Sequence, residues 1–214
     1  MLMSAGLPPS RQIIIHGFIT SGGEKISKSS GNTVDPFPVV EKYGTDALRY
    51  WLLAEINPFE DGDFTIQKFE AGYTAQLANG LGNFTARVLT LAEKLNFNAL
   101  KCEILEKDIL QFVERAEKTI GSKLDEYKFH EALQALWELI AFGDSYVNEK
   151  KPWANKHAEE KAVIVFNLLY ILDRVCAFLT PFLPQTAEKI KSQLHFEEGN
   201  IKIKKGAVLF PRLQ

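Results

Sequence analysis

The feature that most constrains this fold is the helical period of the sequence from residue 65 onward. Apolar residues recur there every three or four positions, and proline or glycine residues separate several of the periodic stretches. Helices with this pattern bury one face against their neighbours, so the pattern predicts a helical bundle. The predicted helices cover residues 66–95, 107–125, 128–151, 159–180 and 184–194.

Two parts of the predicted bundle carry further information. The stretch KAVIVFNLLYILDRVCAFL, in the helix at 159–180, is apolar on nearly all sides, which is typical of a central helix. After the last helix, the alternating IKIKK at residues 201–205 predicts a small strand or hairpin. We therefore expect a bundle with a buried central helix and a short β tail.

The first 64 residues have a different character. The run IIIHGFI, residues 13–19, is apolar and rich in β-branched residues, which predicts a strand buried on both faces of a parallel sheet. No second run of this kind follows, so we expect this strand to be exposed at one edge at least, and to self-associate or be covered by a neighbouring molecule. The predicted fold class is mainly α, with a small α/β remnant at residues 1–64 before a helical domain at residues 65–214.

Two short helices are predicted between this strand and the bundle. Asp35 is suited to cap the first of them, and Pro36 is suited to its first turn. Gly44 is expected to end that helix. Thr45 is suited to cap the second helix, DALRYWLLAEI, so we expect both helices to begin at a side-chain cap.

Composition excludes several classes of protein. The 214 residues have a formal net charge of −2, so any nucleic-acid site must be local rather than a property of the whole surface. The two cysteines, Cys102 and Cys176, form no CxxC motif or Cys/His cluster, which argues against a disulfide framework or a zinc site and favours a reducing cytoplasm. We predict no metal site. No uninterrupted apolar run approaches the ~20 residues of a membrane span, so we predict no membrane association.

A glycine-bordered loop, GGEKISKSSGN at residues 22–32, follows the predicted strand. Lys25 and Lys28 flank Ser27 in this loop, where cationic side chains and free backbone N–H groups can converge on a phosphate. The spacing is not that of a P-loop. Taken by itself, the spacing favours a solvated surface loop.

The surrounding sequence changes that interpretation. The segment HGFITSGGEKISKSSGNTVDP resembles the second signature of class I aminoacyl-tRNA synthetases, usually written KMSKS, with Ile26 in the methionine position. Three later segments, FEDGDFT, LANGLGNFTARVL and VNEKKPW, occur in the order found in the methionyl-tRNA synthetases. The chain is therefore similar to that family from the KMSKS loop through the anticodon-binding domain.

The resemblance implies an ATP site, with ATP and its Mg as the substrate complex and no tightly bound cofactor. Lys25 and Lys28 would be the catalytic residues, because their charges would stabilise the negative charge that accumulates on the departing phosphates. The ATP-binding residues implied by the resemblance are Lys25, Ile26, Ser27, Lys28 and Ser29.

The bundle carries a second candidate site. Asn79, Asn83 and Arg87 are spaced by four, so they project from one face of a regular helix. Trp153 offers a flat surface for an unstacked base, and Pro152 would hold it at a rigid helix end. The resemblance implies that Asn83, Arg87 and Trp153 would recognise the CAU anticodon of methionine tRNA and that Pro152 would shape the pocket.

The first signature of class I synthetases, HIGH, is absent from this sequence. We therefore expect part of a methionine–tRNA ligase that is inactive alone and needs an N-terminal catalytic half, as a separate subunit or as a removed segment. Two alternatives stay open: a non-catalytic tRNA-binding protein, and a portion of another class I synthetase, such as one for cysteine or leucine. Asp61 and Asp63 are interpreted as residues of a tight turn.

Overall fold

The computed structural model describes residues 2–26, 34–95, 104–155, 157–197, 200–204 and 206–213. A small sheet and two short helices precede a helical bundle, and a β-hairpin follows it, so the predicted fold class is confirmed.

The sheet has three short strands, β1 (Ile19–Ser21), β2 (Glu24–Lys25) and β3 (Gly62–Phe64). Strand β1 lies in the middle, antiparallel to β2 and parallel to β3. The parallel pairing brings together segments more than 40 positions apart, so the sheet joins the start of the chain to the segment just before the bundle. Thr20 pairs with Lys25 on one side and with Asp63 on the other.

The strand predicted at residues 13–19 is wrong in position and burial. Of the run at residues 13–19, only Ile19 belongs to β1, and residues 12–18 have no regular secondary structure. Ile13 and Ile15 are 81% and 83% exposed, which confirms the expected exposure of this run but not burial on both faces. Burial of that kind needs a strand on each side and a covering layer, and the described part of the chain supplies neither.

Two hydrogen bonds attach the segment just before β1 to the loop that precedes β3, in place of regular strand pairing. The backbone N–H of Gly17 donates to the carbonyl oxygen of Pro58 (2.9 Å), and that of Phe18 donates to Oδ1 of Asp61 (2.7 Å). A Cβ atom at position 17 would lie 2.0 Å from the carbonyl oxygen of Glu60, so this close approach requires glycine.

Helix α1 (Pro36–Tyr43) follows, and helix α2 (Thr45–Ala54) comes directly after it. The predicted cap of α1 is confirmed, because Oδ1 of Asp35 accepts from the backbone N–H of Phe37 (3.0 Å). Gly44 separates the helices with a positive φ of 88°, which other residues rarely adopt. The predicted cap at Thr45 is wrong: Thr45 is the first residue of α2 and makes no capping hydrogen bond, since the Gly44 turn already starts the helix.

The predicted bundle helices are confirmed to within one residue at each end. The first of them runs without a break, but its central part is a π-helix, which the sequence pattern did not predict. Its three parts are α3 (Ile66–Gly72), the π-helical segment (Tyr73–Gly82) and α4 (Asn83–Lys94). The others are α5 (Lys107–Asp125), α6 (Phe129–Lys150), α7 (Ala158–Leu179) and α8 (Pro184–Gln193), followed by the predicted hairpin of β4 (Leu194–Glu197) and β5 (Asn200–Ile203).

Helix α7 is the central helix, as predicted from its composition. Within the described residues, it alone is long and apolar enough to cross a bilayer, and 61% of its most apolar window is buried inside the bundle. Burial in the core accounts for its hydropathy. Its fully buried side chains include Leu168, Leu169, Ile171 and Leu172.

Two side chains tie α2 to the far end of the bundle. Buried Asp46 accepts a 2.6 Å hydrogen bond from the backbone N–H of Thr186, in the first turn of α8. Arg49 donates to the carbonyl oxygens of Phe182 (2.7 Å) and Pro181 (3.0 Å), just past the end of α7. One continuous core therefore crosses residue 64, and the domain boundary placed there stays a prediction.

Candidate functional site

The hairpin formed by β1 and β2 presents the start of the lysine loop. Gly22 and Gly23 form its turn with φ of 64° and 80°, a backbone conformation that favours glycine. Lys25 lies in β2, and Ile26 follows it, half-buried. The other predicted ATP-site residues, Ser27, Lys28 and Ser29, lie outside the described residues. The structure therefore places the backbone from which the loop departs.

Asp63 fixes this hairpin from β3. Its Oδ1 accepts from the backbone N–H of Gly23 (2.8 Å) and lies 3.0 Å from the Thr20 hydroxyl. Its Oδ2 pairs with Nζ of Lys68 on α3 (2.9 Å). The hydrogen bond from Gly23, with those from Lys68 and Thr20, lowers the pKa of Asp63 to about 2. The carboxylate is therefore ionised throughout the neutral range.

The interpretation of Asp61 and Asp63 as a tight turn differs from the structure. The turn lies earlier, where Asn57 accepts from the backbone N–H groups of Phe59 and Glu60. Asp63 belongs to β3 and Asp61 immediately precedes that strand, so their side chains are free to bind the segment that contains β1. Sequence reasoning missed this role because the partner segment lies 40 or more positions away.

In the bundle, Arg87 of α4 is held by α6. Its Nη1 lies 2.6 Å from Oδ1 of Asp144, and its Nη2 donates to Oδ1 of Asn148 (2.7 Å). Half-burial raises the pKa of Asp144, although Arg87 acts in the opposite direction. The guanidinium group is thus fixed in one orientation by two acceptors on the same helix.

Sequence analysis missed Asp144 and Asn148 as partners of Arg87. Their spacing of four places them on one face of α6, which was a readable signal. That signal becomes informative only when the packing of α4 against α6 is known.

Trp153 is presented by a tight turn at the end of α6. Lys151 ends the helix with a positive φ of 43°, and the N–H of Ala154 donates back to the carbonyl oxygen of Lys151 (2.8 Å). Pro152 is buried, whereas Trp153 is 58% exposed. The turn therefore presents the flat face of Trp153 to solvent, where a base could stack on it.

Arg87 and Trp153 line one groove of about 300 Å³, together with Ala86, Thr90 and Leu91. The structure therefore brings together two of the predicted RNA contacts, and it places Pro152 directly before one of them. Asn83 is half-buried at the start of α4 and does not line this groove. A flat aromatic ring beside a fixed guanidinium can hold an unstacked base and a nearby acceptor.

Other reactive side chains are not arranged for catalysis in the described part of the chain. Burial raises the pKa of Cys176 to about 11, so its thiol stays protonated and poorly nucleophilic at neutral pH. No group of three or more His, Cys, Asp or Glu side chains that could hold a metal ion occurs among the described residues.

Two family models match the chain. Residues 1–89 match the model described as tRNA synthetases class I (M), and residues 106–208 match the anticodon-binding domain of tRNA ligase. The first match contains the lysine loop and the start of α4 with Asn83 and Arg87, and the second contains α5 to α8 with Trp153.

Curated relatives and solved structures agree with these matches. A methionine–tRNA ligase of Clostridium acetobutylicum is 36% identical over all of this chain, and one of Thermosynechococcus vestitus is 39% identical over 92% of it. The chain spans only 36% and 39% of the lengths of these two proteins. A Mycobacterium tuberculosis methionyl-tRNA synthetase in complex with methionyl-adenylate superposes with a TM-score of 0.88, at 26% identity, over 99% of this chain and 46% of that one.

Proposed function

Because the chain belongs to the methionyl-tRNA synthetases, which are class I aminoacyl-tRNA synthetases, we propose that it supplies two parts of methionine–tRNA ligase. One part is the second half of the ATP site for methionyl-adenylate formation. The other is the surface that recognises the CAU anticodon of methionine tRNA. The observation that carries this proposal is the groove that Arg87 and Trp153 share.

At the ATP site, Lys28 is the main phosphate contact and Lys25 assists it. When the methionine carboxylate attacks the α-phosphate, negative charge grows on the pyrophosphate that leaves, and the ammonium groups stabilise it. Ser27, Ser29 and the backbone around Ile26 shape the site. ATP enters as its Mg complex, so the ion arrives with the substrate. The β1–β2 hairpin supports this proposal, because it ends at Lys25 and leads into Ile26, the first two residues of the proposed site.

At the anticodon site, one base stacks on Trp153, and the fixed guanidinium of Arg87 donates to a base edge or a phosphate. Pro152 holds the tryptophan in place. We assign Asn83 a base-edge contact at the start of α4, outside the groove that the other two residues line. The partner is methionine tRNA, and the setting is the cytoplasm, without a membrane.

The exposed apolar surface before β1 supports an N-terminal catalytic half as a further partner. Ile13, Ile15, Phe18 and Phe59 are each at least half exposed, and the backbone bond between Gly17 and Pro58 brings their segments together. Apolar side chains in such number are expected to be covered by another part of the enzyme. We predict no methionine-activating activity for the isolated chain, because its sequence lacks the HIGH signature.

The test is binding of this chain to a stem-loop with the anticodon CAU, compared with hairpins in which one anticodon base is changed, at about 0.1 M salt. We expect the CAU hairpin to bind more tightly, and Trp153→Ala to weaken its binding by about 1–3 kcal/mol, or about 5- to 150-fold, through lost stacking. Phe37→Ala is the matched control, since Phe37 is an exposed aromatic residue on α1, outside the groove.

Equal affinity for all the hairpins, with no effect of Trp153→Ala, contradicts the anticodon proposal. Preference for a different anticodon indicates another class I synthetase. Retained CAU binding with no ligation after addition of every N-terminal half indicates a non-catalytic tRNA-binding protein.

A further inference from the structure

Asp63 lies in one row across the small sheet with Thr20 and Lys25, since Thr20 pairs with both in register. We infer that Asp63 is a positioning residue for methionyl-adenylate formation: it fixes the hairpin turn from which the phosphate-binding lysine segment departs. This inference rests on the proposed ATP site. It adds a residue on β3, outside the lysine loop, to the machinery of that site.

The contacts of Asp63 hold the turn from two directions. The bond from the N–H of Gly23 fixes the turn itself, and the Thr20 hydroxyl fixes the strand before it. Glycine restricts the backbone less than any other residue type. The turn at Gly22 and Gly23 is therefore the part of the hairpin that most needs an external constraint. One carboxylate oxygen therefore limits where the chain can leave the sheet.

Lys68 connects the same carboxylate to the bundle. It lies in the first turn of α3, and its own N–H is capped by Thr65 (3.2 Å). A lysine near a helix N-terminus is unfavourable to the helix dipole, so its position there calls for a local partner. Oδ2 of Asp63 is that partner, and the pair links the hairpin to the helix that leads into α4.

The electrostatics suit a positioning role rather than proton transfer. A carboxylate that accepts from a backbone N–H, a hydroxyl and an ammonium group has little basicity left. It therefore stays ionised and keeps the same hydrogen bonds throughout the pH range in which adenylate forms.

The test is a double-mutant cycle in the complete ligase, that is, this chain joined to its N-terminal catalytic half. Methionine-dependent exchange between ATP and pyrophosphate is the assay. We expect Asp63→Ala to lower kcat by ~10-fold or more with little change in KM for methionine, because misplaced groups lose transition-state contacts. In a Lys25→Ala background the same substitution should lower kcat by clearly less than it does alone, since one of the groups that it positions is gone.

Asp63→Asn supplies a conservative variant. Its amide oxygen can still accept from Gly23 N–H, so we expect it to retain most of the kcat that Asp63→Ala loses. It also keeps the test valid if Asp63→Ala fails to fold. Asp61→Asn is the matched control, because Asp61 binds Phe18 N–H and not the turn.

A full, additive loss from Asp63→Ala in the Lys25→Ala background overturns the inference while leaving the proposed ATP site intact. Asp63→Asn that loses as much as Asp63→Ala also overturns it, because charge and not turn geometry would then be required. Lys25→Ala with wild-type exchange removes the role of Lys25 in the proposed ATP site as well as the inference.

Discussion

Asp63 and Asp144 each pair with a basic side chain, but their surroundings shift their pKa values in opposite directions. Asp63, at the sheet, accepts from a backbone N–H and a hydroxyl as well as from Lys68, and its pKa falls to about 2. Asp144, between α4 and α6, pairs with Arg87, yet half-burial raises its pKa. The number of hydrogen bonds that the carboxylate receives decides the first case, and loss of water decides the second.

The two regions are held together in different ways. The sheet region relies on a carboxylate that three hydrogen-bond donors satisfy, so it depends less on any one charged neighbour. The bundle region keeps an ionised carboxylate in a place that disfavours it, so Arg87 and Asp144 depend on each other. A substitution of one partner should therefore disturb the bundle site more than it disturbs the sheet.

The largest expected effect is on the rate of adenylate formation, and it distinguishes the sheet region from the bundle. In the complete ligase, Lys28→Ala should slow adenylate formation by roughly one to three orders of magnitude, through lost stabilisation of the leaving phosphates. Single-turnover kinetics measure this rate. The same variant should bind the CAU hairpin like wild type, because Lys28 belongs to the ATP loop. An unchanged adenylation rate would remove Lys28 from the mechanism.

A smaller effect is expected from Arg87→Ala on stability. The substitution leaves Asp144 half-buried without its cation, so we expect a loss of about 1–2 kcal/mol in the free energy of unfolding, below the cost for a fully buried pair. Urea denaturation measures it. The double variant Arg87→Ala, Asp144→Asn is the control and should recover much of that loss. No recovery would show that the two residues are not energetically coupled.

The smallest expected effect is on the pH dependence of stability. Asp63 has a pKa of about 2 when folded against a usual value of 3.8, so its stabilising contribution is present above pH 3.8 and is lost as the pH falls toward 2. Asp63→Asn should therefore lose less stability than wild type in that interval, as measured by thermal melting at a series of pH values.

Asp144 should behave in the opposite sense, because its folded pKa lies above its usual value. Its contribution makes the protein less stable as the pH rises through that pKa, and Asp144→Asn should remove this trend. If Asp63→Asn and Asp144→Asn changed the pH dependence of stability in the same direction, the contrast between the two carboxylates would be contradicted.

The sequence by itself determined the elements whose stability is local. The period of apolar residues predicted both ends of α5 correctly, and the side chain of Asp35 predicted the start of α1. The motifs around Lys25 and Trp153 identified the family before any geometry was known. Local signals succeed here because a helix forms its hydrogen bonds and caps within its own segment.

Only the tertiary structure decided what depends on partners distant in the chain. The apolar run at 13–19 predicted a buried strand, but burial requires neighbours that the described residues do not include. The contacts of Arg87 with α6 form only when α4 packs on α6. The contacts of Asp63 with the hairpin form only when β3 lies beside β1. With other neighbours, Asp63 would lie in a loop, and Arg87 and Asp144 would form an ion pair in water. Burial and hydrogen-bond partners are properties of the packed chain.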